Sequence, residues 1–200
     1  PAAAAALAEI RYASMAVVTL AYPREAFGAA PRGSGYLVPA VDGHAVKAVT
    51  FSTVKWPHLA APSAGQGAGQ GAGLHIVRCS VGRIGEESIL QRDDAGLVAL
   101  AAAELAAATG VSGPPVAARV TRWGGALPQY AVGHLDRVGR IRAAVAAHPG
   151  LAVCGAAYDG VGIPACIATA RAAAGQVLEQ VLGQLLGRGD GFSGSGGGPQ

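Results

Sequence analysis

Hydrophobic and polar positions change their period several times along this chain, and each change marks an element. Residues 2–10, nearly all alanine or another good helix former, read as the tail of a helix. The apolar run 15–21 (MAVVTLA) predicts a strand, stopped at Pro23. Residues 36–39 and 46–52 predict strands flanking Asp42-Gly43, a dipeptide typical of hairpin turns. Partial alternation in 74–82 (LHIVRCSVG) predicts another strand. Asp93-Asp94 open a helix that runs to about Thr109 and stops at Gly110; acidic residues suit its positive end. A strand follows at 116–123, then a helix at 134–148 ended by Pro149-Gly150. Apolar residues at 163, 167, 170, 174, 177, 178, 181 and 185 repeat with helical period and predict a final helix over 163–186.

The stretch 154–174, CGAAYDGVGIPACIATARAAA, is the most informative. The short apolar run 151–154 reads as a buried strand ending at Gly155, and the loop 158–162 leads into Ile163-Pro164 at the start of the last helix. Proline is favoured in a first helical turn because its missing N–H would have no partner there. Small residues before it let other atoms approach the backbone, so N–H groups at the positive helix end face outward. Such an end suits a phosphate or the electron-rich edge of a flavin. Asp159, just ahead of the helix, reads as a cap, Tyr158 as a packing residue, and Arg171 as a solvated one.

Composition narrows the function classes. Two hundred residues, 51% hydrophobic and 14% charged, make a well-buried globular chain. The net charge of +3 comes from scattered Lys and Arg with no basic run, which gives no support to nucleic-acid binding. The best apolar run, 13–22, is far short of the ~20 residues that cross a membrane. Three cysteines fit neither a metal site nor a disulfide framework and read as buried, reduced thiols of a cytosolic protein. The histidines show no metal spacing, and no Ser/His/Asp set or other protein nucleophile is recognisable. The Gly-rich tract 63–73 reads as a flexible insertion and 187–200 as a disordered tail.

Four blocks carry a family resemblance: Tyr12-Ala-Ser-Met-Ala-Val-Val18, Gly33-Ser-Gly-Tyr-Leu-Val-Pro39, Arg122-Trp123 followed by Ala126-Leu-Pro-Gln-Tyr-Ala-Val-Gly-His134, and the loop and helix start at 154–174. In order and spacing they resemble the FAD-dependent porphyrinogen oxidases, the protoporphyrinogen and coproporphyrinogen III oxidases of the flavin amine oxidase-like superfamily. Enzymes of that family open with a Rossmann-type G-x-G-x-x-G that holds the FAD pyrophosphate. No such motif follows a strand here, so the chain reads as the C-terminal part of a longer enzyme.

The resemblance implies an α/β fold: an α+β substrate-binding sheet plus the C-terminal strand–helix of a Rossmann-like FAD-binding domain. Residues 1–11 would close an FAD-domain segment, 12–148 form the substrate domain, and 149–186 return to the FAD domain. The implied activity is FAD-dependent oxidation of coproporphyrinogen III, or of protoporphyrinogen IX, with dioxygen as acceptor, in haem biosynthesis. FAD would carry the chemistry, with no catalytic protein side chain. Trp123, Ala156, Val161, Gly162 and Ile163 would contact the flavin, and Leu37 and Leu127 would wall the tetrapyrrole. Read alone, those two leucines are core residues, and Trp123 is a core tryptophan. Arg78, Arg83, His44 and Lys47 are candidates to meet propionates, although surface solvation is the plainer reading for each. The implied partners are the porphyrinogen, dioxygen and an N-terminal FAD domain, in the cytoplasm, with or without peripheral membrane contact. Without that domain, residues 1–200 are expected to bind FAD weakly or not at all. The alternatives are another flavin amine oxidase-like enzyme, such as a phytoene desaturase or monoamine oxidase relative, or a non-catalytic fragment.

Overall fold

A computed structural model describes residues 2–60 and 73–189, with side chains described as far as residue 185. The expected insertion, apart from Gly73, and the tail from residue 190 lie outside the described residues. Packing divides the chain into two compact units. One is Ala13–Ala126; the other joins the residues before it to those from Leu127 onward.

The first unit is built on a sheet of five strands: β1 (Tyr12–Pro23), β2 (Gly35–Leu37), β3 (Val46–Phe51), β4 (Leu74–Val81) and β5 (Ala117–Pro128). Their spatial order is β2-β3-β4-β1-β5, so β4 is the central strand. β4 pairs antiparallel with both neighbours, setting Arg78 opposite Thr19 on β1 and opposite Thr50 on β3. Alternation then sorts the side chains by face. Val18, Leu20 and Tyr22 from β1, Val49 and Phe51 from β3, and Val77, Cys79 and Val81 from β4 enter one buried cluster. Leu97, Ala101 and Leu105 cover that cluster from the helix Asp94–Thr109, numbered α3 in chain order.

α3 begins and ends as its sequence dictates. Asp93 Oδ1 accepts from the Gly96 amide at 2.8 Å, and Gly110 closes the helix at φ 71° in the left-handed region. Glu104 faces the sheet, and its two carboxylate oxygens accept from the Ala45 and Val46 amides at 3.0 and 2.8 Å. This charged acceptor fixes the helix to the start of β3. The hairpin expected around Asp42-Gly43 is present as β2 and β3, but its link is longer than a two-residue turn. A 3-10 turn at Ala40–Asp42 ends at Gly43, whose φ is 71°. In β2, Gly35 is required sterically, since a Cβ there would stand 2.1 Å from the Val49 carbonyl oxygen. A single helical turn, α2 (Ser52–Lys55), follows β3.

The second unit packs α1 (Ala2–Ala8) against α4 (His134–Ala146) around Ala6, Ile10, Val138, Ile141, Val145 and Tyr158. Arg137 donates to Glu9 at 3.0 Å across that contact. The expected strand at 151–154 is not one: the segment has no regular secondary structure and joins no ladder among the described residues. Strand character depends on hydrogen-bonded neighbours, and no strand among the described residues pairs with it. The final helix, α5, spans Ile163–Gly189, so it continues past the expected end at residue 186. No helix among the described residues is long and apolar enough to cross a membrane.

The thiols differ from expectation. Cys79 alone is fully buried, and burial pushes its thiol up to about 12. Cys166 is half-buried, and Cys154 is exposed because the unpaired segment before Gly155 leaves it uncovered.

Candidate functional site: a clamped loop at the start of the last helix

The loop between 154 and α5 is tied down residue by residue. Gly155, at φ 115°, donates from its amide to Thr169 Oγ1 on α5 at 3.2 Å, and the Tyr158 amide returns to the Gly155 carbonyl at 3.3 Å. Tyr130 Oη donates to the Ala156 carbonyl at 2.5 Å. His134 Nε2 lies 3.1 Å from the Tyr158 carbonyl; a carbonyl only accepts, so Nε2 is the donor of this contact and Nδ1 takes no part in it. That Nδ1 is buried without a partner among the described residues. Asp159 does not cap the helix. Its two oxygens accept from Arg142 Nη1 and Nη2 at 2.9 and 2.5 Å, a bidentate pair that holds the carboxyl below its ordinary range. Arg142 also lies 5.9 Å over the buried Tyr158 ring.

These restraints end where α5 begins. The Gly162 carbonyl accepts from the Cys166 amide at 3.0 Å, the first helical bond. Pro164 has no N–H, and the Ile163 and Ala165 amides have no backbone acceptor among the described residues. No acidic side chain sits in that first turn. Val161 and Ile163 are 49% and 76% exposed, and a Cβ on Gly162 would meet nothing closer than Pro164 Cδ at 3.8 Å. The outcome is an open, positively polarised helix end between two exposed aliphatic side chains. It suits the electron-rich edge of a flat ring, and in this respect the residues present fit a flavin. Ala156 is half-buried and offers its carbonyl to Tyr130 rather than outward.

The remaining expected site residues lie on β2 and β5. Leu37 is 82% exposed at the end of β2, and is not a core residue because β2 turns it away from α3. Trp123 is likewise not in the core. It is half-exposed on β5 and lines a shallow cavity of about 200 Å³ with Ser14, Met15, Leu90 and Arg122. Leu127 is half-buried near the end of β5. Of the four basic candidates, three are used internally. Arg83 donates to the His44 and Val38 carbonyls at 2.8 and 3.0 Å and faces Glu86 at 3.6 Å. Lys47 Nζ donates to the Gly82 carbonyl at 2.5 Å, and burial lowers its pKa. His44 Nδ1 faces Glu104 at 3.8 Å.

Comparison with known proteins identifies the family of this chain. The model for "flavin containing amine oxidoreductase" matches residues 1–178. The chain belongs to that family. It is 40% identical over 181 residues to a protein named coproporphyrinogen III oxidase from Mycobacterium tuberculosis, covering 90% of this chain and 36% of that one. Against a Bacillus subtilis protein of the same name it is 35% identical over 166 residues, 82% of this chain and 33% of that one. Among solved structures, a putative protoporphyrinogen oxidase from Exiguobacterium superposes with a TM-score of 0.71 at 28% identity, over 86% of this chain and 36% of that one. The chain therefore spans about a third of the length of the relatives it matches.

The sequence reading missed Tyr130, His134 and Arg142 as residues that hold the loop. The signal was present for two of them: Tyr130 and His134 lie four residues apart in the LPQYAVGH block. Arg142 gave none, since a helical arginine reads as solvated until its partner across the turn is known.

Proposed function

We propose that this chain is part of an FAD-dependent oxidase that converts coproporphyrinogen III to coproporphyrin III in haem biosynthesis, with dioxygen as electron acceptor. The observation that carries the reading is 40% identity to a coproporphyrinogen III oxidase over 90% of the chain. The open end of α5 supports it independently, since its geometry suits a flavin edge. FAD would supply the redox chemistry when bound: three hydrides, each accompanied by a proton lost from the macrocycle, would leave the porphyrinogen, and dioxygen would take up the electrons and protons as hydrogen peroxide. The protein's part is to bind, orient and polarise. Val161 and Ile163 would pack against the ring, and the free amides of the first turn would stabilise negative charge at its edge. Trp123 would stand beside the flavin, and Leu37 and Leu127 would line the tetrapyrrole. The FAD pyrophosphate would be held by a domain in the part of the relatives' length that this chain does not span. The setting would be cytoplasmic.

Protoporphyrinogen IX, with two fewer propionates, is the competing substrate. A full-length, flavin-loaded protein should be given each porphyrinogen aerobically, with porphyrin fluorescence and peroxide followed together. Faster oxidation of coproporphyrinogen III is expected. Oxidation of neither overturns the proposal.

A further inference from the structure

We infer that Arg78, between Thr19 and Thr50 on the sheet face away from α3, anchors a carboxylate of the porphyrinogen whose ring lies against Leu37. The inference rests on the function proposed above and extends it to a site for the substrate's propionates.

The strand register brings these residues together. β4 is the central strand, and Val77 and Cys79 on either side of Arg78 are buried under α3. Alternation therefore sends Arg78 to the opposite face, where it is exposed. Thr19 and Thr50 are its direct cross-strand neighbours. The cores on either side of them, Val18 with Leu20 and Val49 with Phe51, put both threonines on the same face as Arg78. Directly opposed side chains start about 5 Å apart at Cβ, so one ligand oxygen pair can meet the guanidinium and a threonine hydroxyl together. No hydrogen bond or ion pair engages Arg78 among the described residues, in contrast to Arg83 and Lys47. A guanidinium offers a planar pair of donors matched to a carboxylate, and this one is unspent.

The neighbouring row completes the site. Leu37 pairs with Ala48, Ala48 with Ser80, and Ser80 with Val17. All lie on the same face as Arg78, one side-chain step along the sheet. Leu37 and Arg78 are two strands and one such step apart, about 12 Å between Cα atoms from ordinary sheet spacings. The residues between them are alanine, serine and threonine, which leave a low floor. An apolar wall at one side and a cation at the other match a tetrapyrrole, whose flat apolar ring bears carboxylates on short arms.

The test uses the full-length, flavin-loaded protein and two probes, coproporphyrin III and its tetramethyl ester, with binding read by fluorescence. Arg78→Gln should weaken coproporphyrin III by about tenfold, the loss expected for one charge-assisted contact. Ester binding and flavin content should stay as in the wild type. Arg78→Lys should recover part of the affinity as a point charge without the planar fork, and it carries the test should the glutamine variant fail to fold. Unchanged affinity for the acid in either variant, or equal losses for acid and ester, would overturn the inference alone. A wild-type protein that binds and oxidises no porphyrin compound would instead overturn the proposed function, and this inference with it.

Discussion

Tyr130 lies flat against His134, with ring centroids 3.8 Å apart and planes 12° from parallel. Both then reach the same loop, Tyr130 at the Ala156 carbonyl and His134 at the Tyr158 carbonyl. Two carbonyls of one loop are thereby fixed from a single stacked pair, a few residues before the free end of α5. His134 is 4% exposed and cannot rotate away without losing the stack, so its Nε2–H stays aimed at the Tyr158 carbonyl.

Tyr130→Phe tests this relationship, since it keeps the stack and removes the hydroxyl. The loss should be about 0.5–1.5 kcal/mol of stability, as for one hydrogen bond. Amides from 158 to 163 should exchange faster with solvent, and bound flavin should dissociate more readily from the full-length protein. Hydrogen exchange by mass spectrometry reads the first effect, and unchanged protection across that segment would show that the hydroxyl does not hold the loop.

Two glycines of the loop should respond in opposite ways. Gly160 has φ 151°, and a Cβ there would lie 2.8 Å from Ala165 Cβ, so Gly160→Ala should destabilise by about 1–3 kcal/mol. Gly162 has room for a side chain, so Gly162→Val should change stability by less than about 0.5 kcal/mol yet lower flavin content or turnover. Thermal unfolding paired with released flavin separates the two. Wild-type flavin content and rate in the valine variant would mean that the ring does not approach Gly162.

The exposure of Leu37 sharpens its test. Leu37→Ala removes little packing, so the melting temperature should hold while the KM for the porphyrinogen rises, by the ~1–3 kcal/mol of an apolar contact in a pocket. Leu127→Ala, at a half-buried position, should lower both stability and substrate affinity. A KM at the wild-type value in the Leu37 variant would remove that residue from the pocket.

Acid should release the Arg142–Asp159 pair. The hydrogen bond from Arg142 is the main reason that the Asp159 carboxyl is held below its ordinary 3.8. A folded pKa below the unfolded one gives stabilisation that is complete above the ordinary carboxylate range and is lost as pH falls through the lowered value. Both side chains are partly exposed, 45% and 38%, so the effect is at most about 1 kcal/mol after solvent screening. Urea unfolding of the wild type and Asp159→Asn should therefore differ at neutral pH and converge in strong acid. A difference that persists in acid would point to packing instead of charge.

How much was legible in the sequence depended on whether the signal was local. α3 announced both of its ends, through Asp93 and Gly110, because caps and left-handed glycines act on the backbone beside them. β1 and β4 showed as apolar runs, and the terminal loop showed through its glycines and Pro164. The segment 151–154 misled because apolar content measures burial, whereas a strand needs a neighbour. Asp159 misled for a related reason: proximity to a helix start suggested a cap, and a stronger bidentate partner seventeen residues away on α4 took its oxygens. Leu37 was read alone as core because no local pattern states which sheet face is covered. The freedom of Arg78 became visible only when register and partners were known.

A flavin bound at the α5 end should accept electrons directly from a porphyrinogen. Anaerobic mixing of the full-length, flavin-loaded protein with coproporphyrinogen III tests it most directly, with the flavin's visible absorbance followed in time. Bleaching of that band is expected, with recovery when air is admitted and coproporphyrin fluorescence rises. A flavin band that stays oxidised in the presence of excess coproporphyrinogen III and of protoporphyrinogen IX would contradict it.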